Sequence, residues 1–183
     1  MRAITLVATL ALLTACQAKE ETKTDSTAAE KADVAATSAE ISATQATIPT
    51  EALSGEAAVA AQELRHEKFE ALGDAMKALS REAKASAPDM AVVTPNAGII
   101  AASATALPSW FAPGTGPAAG KTEAKANIWE TPDDFTAKAK DFHNVALSLN
   151  DAATSGDAAA FKAAMEPVGK ACKACHDTYR AED

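Results

Sequence analysis

Large aromatic residues are scarce in this chain. Five Phe, two Trp and one Tyr make up 4% of 183 residues. Apolar residues still reach 48%, and Ala supplies most of them. Ala is the best helix former, so the composition predicts an all-α fold. A core built this way has few bulky side chains of its own, which leaves room for a bulky buried group. Positive charge is also in deficit, with 17 Lys and Arg against 25 Asp and Glu and a net charge of −8. Nucleic-acid binding needs a concentrated positive surface, so that class of partner is excluded. The acidic balance suits solubility and a basic partner. Cysteine is sparse and odd in number, at Cys16, Cys172 and Cys175.

The chain opens with Met1-Arg2, an apolar run from Ala3 to Leu13, and Thr14-Ala15-Cys16. A short positive start, an apolar centre and small residues at its end read as an export signal over residues 1–15. This run of 11 residues is too short to span a bilayer as a helix. Leu13-Thr14-Ala15-Cys16 resembles the lipobox of bacterial lipoproteins, in which Cys16 becomes the lipidated first residue. An ordinary signal cut after Ala15 or Ala18 is the other reading. A lipid-anchored Cys16 would hold the protein to a membrane. Gln17, which is not Asp, leans toward an outer-membrane address. Residues 16–50 then read as anchor and disordered tether. They hold Ala, Thr, Ser, Glu and Lys, with Val34, Ile41 and Ile48 the only large apolar residues and no period.

Four helical patterns fill residues 51–183. The first runs from about Glu51 to Lys84, with Phe69, Leu72, Met76, Leu79 and Ala83 on one stripe. The second runs from about Met90 to Leu107, with Val93, Ala97, Ile100, Ala104 and Leu107 on its stripe. Thr94-Pro95 offers an N-cap followed by Pro at the first helical position, which allows a later start. A long connection from Pro108 to Thr131 carries Pro113-Gly114-Thr115-Gly116-Pro117 and both Trp. The third helix begins at Thr131-Pro132-Asp133-Asp134, an expected N-cap with acids in the first turn. Its stripe is Phe135, Ala139, Phe142, Ala146, Leu149 and Ala153. Ser155-Gly156-Asp157 breaks the chain before a fourth stripe of Phe161, Met165, Val168, Cys172, Cys175 and Tyr179. The sum is an antiparallel four-helix bundle.

Cys172-Lys173-Ala174-Cys175-His176 is C-x-x-C-H, the attachment pattern of a c-type haem. Residues three and four apart share a helix face, so both thiols can form thioethers to one haem while His176 offers its imidazole to the iron. Both cysteines lie on the core stripe, which draws the haem into the bundle. A thiol redox pair is a rival, although such pairs sit where a strand enters a helix and no strand is visible. A zinc site would need a fourth ligand, and none is paired with these three in sequence.

Only seven residues follow His176. That placement resembles the cytochrome c′ family and its low-spin relatives. So do Arg65-His66-Glu67-Lys68-Phe69 with Gly73 and Met76, Ala106-Leu107-Pro108 leading to Trp110-Phe111, Ile128-Trp129 before Phe135, and Val168 through Arg180. The resemblance covers roughly residues 51–183. Tether and lipobox are unusual beside the plain periplasmic members, and Pro108-Ser109-Trp110-Phe111 departs from the common spacing. The resemblance implies a four-helix bundle with one covalent haem c, held by Cys172, Cys175 and His176, with Arg65, Phe69 and Arg180 beside it. Low-spin members supply an axial Met four residues after a recurring Arg. Here the Arg resembles Arg65, and the matching position is Phe69, which has no donor atom. A five-coordinate, high-spin iron that binds nitric oxide and carbon monoxide is therefore expected. The alternative is a low-spin or simple electron-transfer cytochrome serving a membrane or periplasmic redox partner. A peroxidase would need a distal acid–base pair, and none is visible near Phe69, so no enzymatic turnover is expected. Met76, Met90 and Met165 read as packing residues, His66 and His143 as surface histidines, and Lys170 and Lys173 as solvated charges. Arg180 is expected both beside the iron ligand and at the helix C-terminus. Many relatives dimerise through the first two helices, which makes a homodimer a further expectation.

Overall fold

The computed structural model describes residues 44–182. The export signal, Cys16 and the tether up to residue 43 lie outside the described residues. Among the described residues four long helices build the bundle: α1 (Gly55–Lys84), α2 (Met90–Ala106), α4 (Pro132–Thr154) and α5 (Ala158–Tyr179). A 3-10 turn, Leu107–Trp110, ends α2, and the short helix α3 (Asn127–Glu130) precedes α4.

Consecutive helices run antiparallel. Thr94 Oγ1 donates to Ala153 O at 3.2 Å, which pairs the start of α2 with the end of α4. Lys162 Nζ donates to Ala85 O at 2.6 Å, which pairs the start of α5 with the end of α1. The Ala-rich seams let α2 and α4 approach closely: Ala97, Ala101, Ala104, Ala146 and Ala153 are all buried. Leu79, Ile100, Phe135, Leu149 and Phe161 supply the largest fully buried side chains. α4 and α5 pack along most of their length, whereas α1 and α5 touch over few residues. The site described below lies where α1, α4 and α5 come together beside the end of α2.

Three local details differ from the sequence reading. α2 begins at Met90 as expected and not later at Pro95, capped by Asp89, whose carboxylate accepts the Ala91 N–H at 2.9 Å. Pro95 lies inside the helix, and Thr94 spends its hydroxyl on α4 instead of capping. Thr131 stands at the N-cap of α4 but does not cap it, because its hydroxyl donates to Asn127 O at 2.8 Å. Asp157 caps α5, accepting from the Ala159 and Ala160 amides at 2.8 and 3.0 Å, after a turn in which Gly156 takes φ +74°. The third change concerns the tether. Residues 44–50, read as the end of the tether, are docked on the bundle. Gln45 Nε2 donates to Ala104 O at 3.0 Å and to Ala139 O at 2.8 Å, Ala46 N to Thr105 O at 2.8 Å, and Ile48 packs on the core. A polar segment can dock in this way because helix carbonyls keep a second lone pair.

The chain after α5 is fastened too. An isolated antiparallel bridge joins Ala124 and Arg180, with Lys125 N donating to Tyr179 O at 2.9 Å and Ala181 N to Glu123 O at 2.8 Å. The end of the helix that carries the C-x-x-C-H motif is therefore fixed to the long connection.

Candidate haem site

The last turns of α5 present Cys172, Cys175 and His176 to a cleft. Cys172 and Cys175 are half-buried free thiols, and His176 reaches solvent. The facing side is gathered from Phe69 and Leu72 on α1, Leu107 after α2, Phe111 in the connection, and Phe135 and Ala139 on α4. The cleft is open to solvent and measures about 460 Å³ with its solvent-facing space included. Apart from Lys138 and His176 its lining is carbon and sulfur.

Burial sets the protonation of the motif. It pushes the Cys175 thiol up to about 11 and raises Cys172 as well. His176 is shifted down, first by burial and then by the nearby Arg180 cation, so its imidazole is neutral at neutral pH and keeps a free lone pair. Thiols held protonated argue against thiol redox chemistry, which needs a low thiol pKa. Among the described residues no group of three or more His, Cys, Asp or Glu converges as a metal site, so the zinc reading loses its ligands. A flat apolar macrocycle with two reactive edge groups and a central metal fits what remains: two neutral thiols and one neutral imidazole along a carbon-lined slot.

Phe69 lies across the cleft from this turn. Its ring meets Trp110 edge-on at 5.3 Å and Phe111 at 6.2 Å. Phe111 packs on Phe135 at 4.7 Å, and Phe135 on Tyr179 at 5.4 Å, so a continuous aromatic chain runs from α1 around the cleft to α5. Met76, Met90 and Met165 pack on the core, and none of them lines the cleft.

Arg65 is buried at 4% exposure and does not line the cleft. It donates to Trp110 O at 3.2 Å, Thr115 Oγ1 at 2.9 Å, Thr115 O at 3.0 Å and Thr122 Oγ1 at 2.9 Å. Its guanidinium sits 4.9 Å from the Phe111 ring centre and 5.9 Å from that of Trp129. Burial lowers its pKa to about 10, which leaves it charged at neutral pH. Arg65 thus pins the connection that delivers Phe111 to the cleft. Gln62, three residues earlier on the same face, helps by donating to Thr115 O at 3.1 Å and Gly116 O at 2.8 Å. Nothing in the sequence distinguished Gln62, beyond its spacing from Arg65.

Arg180 lies at the C-terminus of α5, near His176. It stands at the C-cap of α5, its amide donating to His176 O at 3.0 Å, and its Nε donates to Glu123 Oε2 at 2.8 Å. It lies close enough to depress the His176 pKa. His66 is exposed beside Glu70, as expected. Lys170 and Lys173 are exposed and pair with Glu166 and Asp177. His143 is a correction: it is buried, not on the surface, at 7% exposure, and its Nε2 has no partner among the described residues. α4 lies between α2 and α5, so its buried face is wider than a single stripe and takes in His143 and Asn150. Lys138 was also missed. It reaches the cleft from α4, held by Asp134 at 2.9 Å, and Asp134 also accepts from the Tyr179 hydroxyl.

The sequence pattern of the family described as Cytochrome C′ matches residues 60–180. The chain belongs to the cytochrome c′ family. The cytochrome c′ of Pararhodospirillum photometricum is 42% identical over 118 residues, covering 64% of this chain and 94% of that one. A solved cytochrome c′ described as having a ligand-controlled dimer dissociation superimposes with TM-score 0.64 at 30% identity, over 70% of this chain and all of that one. The nitric oxide complex of a variant cytochrome c′ from Alcaligenes xylosoxidans gives TM-score 0.61 at 30% identity, over 69% of this chain and 97% of that one. Membership of the cytochrome c′ family implies a covalently bound c-type haem. In this chain Cys172 and Cys175 would hold it by thioethers and His176 would ligate the iron. Bound there, the group would supply a metal centre able to change oxidation state and to take a small ligand. The docked segment at 44–53 lies outside the matched residues.

Proposed function

We propose that this protein is a five-coordinate, high-spin cytochrome c′ that binds nitric oxide and carbon monoxide. The observation that carries the reading is Phe69. It lines the same cleft as His176, four residues after Arg65, where the low-spin relatives that the chain resembles carry Met, and a phenyl ring has no donor atom. The lining opposite His176 offers no thioether and no second imidazole. An apolar lining favours neutral diatomics over anions, because a buried unpaired charge is costly. It also supports binding over acid–base catalysis. We further infer a location on the periplasmic side of a bacterial membrane, held by a lipid on Cys16, and a homodimer. The outer face of α2 supports the dimer, since Ala91, Pro95, Ile99 and Ala102 are exposed and the helix carries no charge.

Optical and EPR spectra of the purified ferric and ferrous protein test the reading. A high-spin ferric signal and a carbon monoxide-sensitive ferrous spectrum are expected. A low-spin spectrum with a sulfur-to-iron charge-transfer band would replace gas binding by electron transfer to a redox partner. Intact-mass analysis of native protein tests the anchor: acyl groups on a chain beginning at Cys16 support it, and an unmodified chain beginning at Lys19 ends it. Sedimentation at micromolar concentration tests the dimer.

A further inference from the structure

The segment 44–53 touches three of the elements that make the wall opposite His176. At the end of α2, Gln45 Nε2 donates to Ala104 O and Ala46 N to Thr105 O, within one turn of Leu107, which lines the cleft. On α4 the same Gln45 amide donates to the carbonyl of Ala139, itself a lining residue. In the connection Leu53 N donates to Pro113 O at 2.8 Å, two residues beyond Phe111. Gly114 takes φ +84° there, and a Cβ on it would fall 2.0 Å from Leu53 O, so segment and connection are in direct backbone contact.

The end of α2 needs such a fastening. Ala104 and Ala139, whose carbonyls share the Gln45 amide, are both small and buried, and small side chains interdigitate little. One amide group that bonds to both helices supplies the cross-link that packing does not. The segment lies outside residues 60–180, which match the family.

We propose that residues 44–53 form a strap that fixes the wall facing His176, with Gln45 as its positioning residue, and so sets how fast a diatomic gas reaches the haem. Phe69 bears on Phe111 and Trp110 and can swing aside only as far as that wall yields. A strap that holds Leu107, Phe111 and Ala139 in register makes the yielding rare. The inference about gas entry rests on the function proposed above; the fastening of the wall does not.

Gln45→Glu is the decisive variant. It keeps the shape, removes both donors and sets a carboxylate against two carbonyl oxygens. Thr47→Glu adds the same charge at an exposed position of the strap and serves as control. Two measurements are made on the full-length holoprotein: amide hydrogen exchange, and carbon monoxide association to the ferrous form. In Gln45→Glu, exchange should rise roughly 5- to 30-fold, as expected for loss of one or two hydrogen bonds. The rise should be confined to the end of α2, the turn around Ala139 and residues 111–115. Carbon monoxide association should become several-fold faster, with Thr47→Glu like wild type in both. Unchanged exchange, or a rise spread evenly through α1 and α5, overturns the strap. Faster local exchange with unchanged association overturns its control of gas entry. If wild type takes up no carbon monoxide, the gas-binding reading and its control by the strap both fall, and exchange alone decides the fastening of the wall.

Discussion

The two walls of the cleft are made in opposite ways. One is a single stretch of α5, in which Cys172, Cys175 and His176 come together because a helix places residues three and four apart on one face. The other is assembled from α1, the end of α2, the connection and α4, and it holds its shape through Arg65, Gln62 and the aromatic chain from Phe69 to Tyr179. The local wall needs only helix formation. The assembled wall needs the whole bundle, and with it a buried cation whose hydrogen-bond acceptors all lie between residues 110 and 122. Chemistry is concentrated where assembly is simple, and selectivity where it is complex.

The largest effect should come from the local wall. Replacing both thiols, Cys172→Ala with Cys175→Ala, should nearly abolish covalent holoprotein, and either alone should lower its yield. Acid–acetone extraction reads this directly: haem should stay with wild-type protein, and release from wild type would contradict thioether attachment. Next comes Phe135, which is 1% exposed and bonds the two walls through Phe111 and Tyr179. Phe135→Ala should cost about 3–5 kcal/mol in chemical denaturation, and a loss below about 1 kcal/mol would show that the walls fold independently.

A smaller and more selective effect is expected at Phe69. Phe69→Ala should speed carbon monoxide binding by opening the facing side. Phe69→Met should give partial low-spin character, visible in the ferric EPR spectrum; a purely high-spin spectrum would mean that this position does not face the iron. The smallest effect belongs to His143, away from the cleft. Its pKa is pushed below the ordinary 6.5 by burial, so the fold holds it neutral. The stability linked to that neutral form is present above pH 6.5 and is lost as pH falls through the folded-state value. His143→Leu should therefore flatten the acid limb of a stability–pH curve, with little change above neutrality. An acid limb as steep as that of wild type would remove His143 as its source.

The same contrast explains what could be read from the sequence. The four stripes, the break at Gly156 and the C-x-x-C-H turn are local patterns, and each appears in the structure where its spacing places it. Phe69 could be singled out because it keeps a fixed distance from Arg65. What Arg65 itself binds could not, since its partners are backbone carbonyls and hydroxyls some fifty residues away. His143 was misplaced because one stripe was assumed for a helix flanked on two sides. The docking of Gln45 was invisible for a related reason: it uses spare lone pairs on helix carbonyls, which carry no signature in side-chain pattern.

The half-buried thiols also bear on the order of haem loading and folding. At neutral pH a thiol whose pKa stands at about 11 is ionised in only ~1 molecule in 10,000. Cys175 in a finished but haem-free bundle is thus nearly inert, and α1 and α4 already stand over it. Thioether formation at Cys175 should therefore be slow in the closed bundle and faster in a chain whose cleft is still open. Iodoacetamide makes the sequence of events visible: Cys175 in folded apoprotein should alkylate slowly at pH 8 and accelerate up to about pH 11, whereas the urea-unfolded chain should react at once.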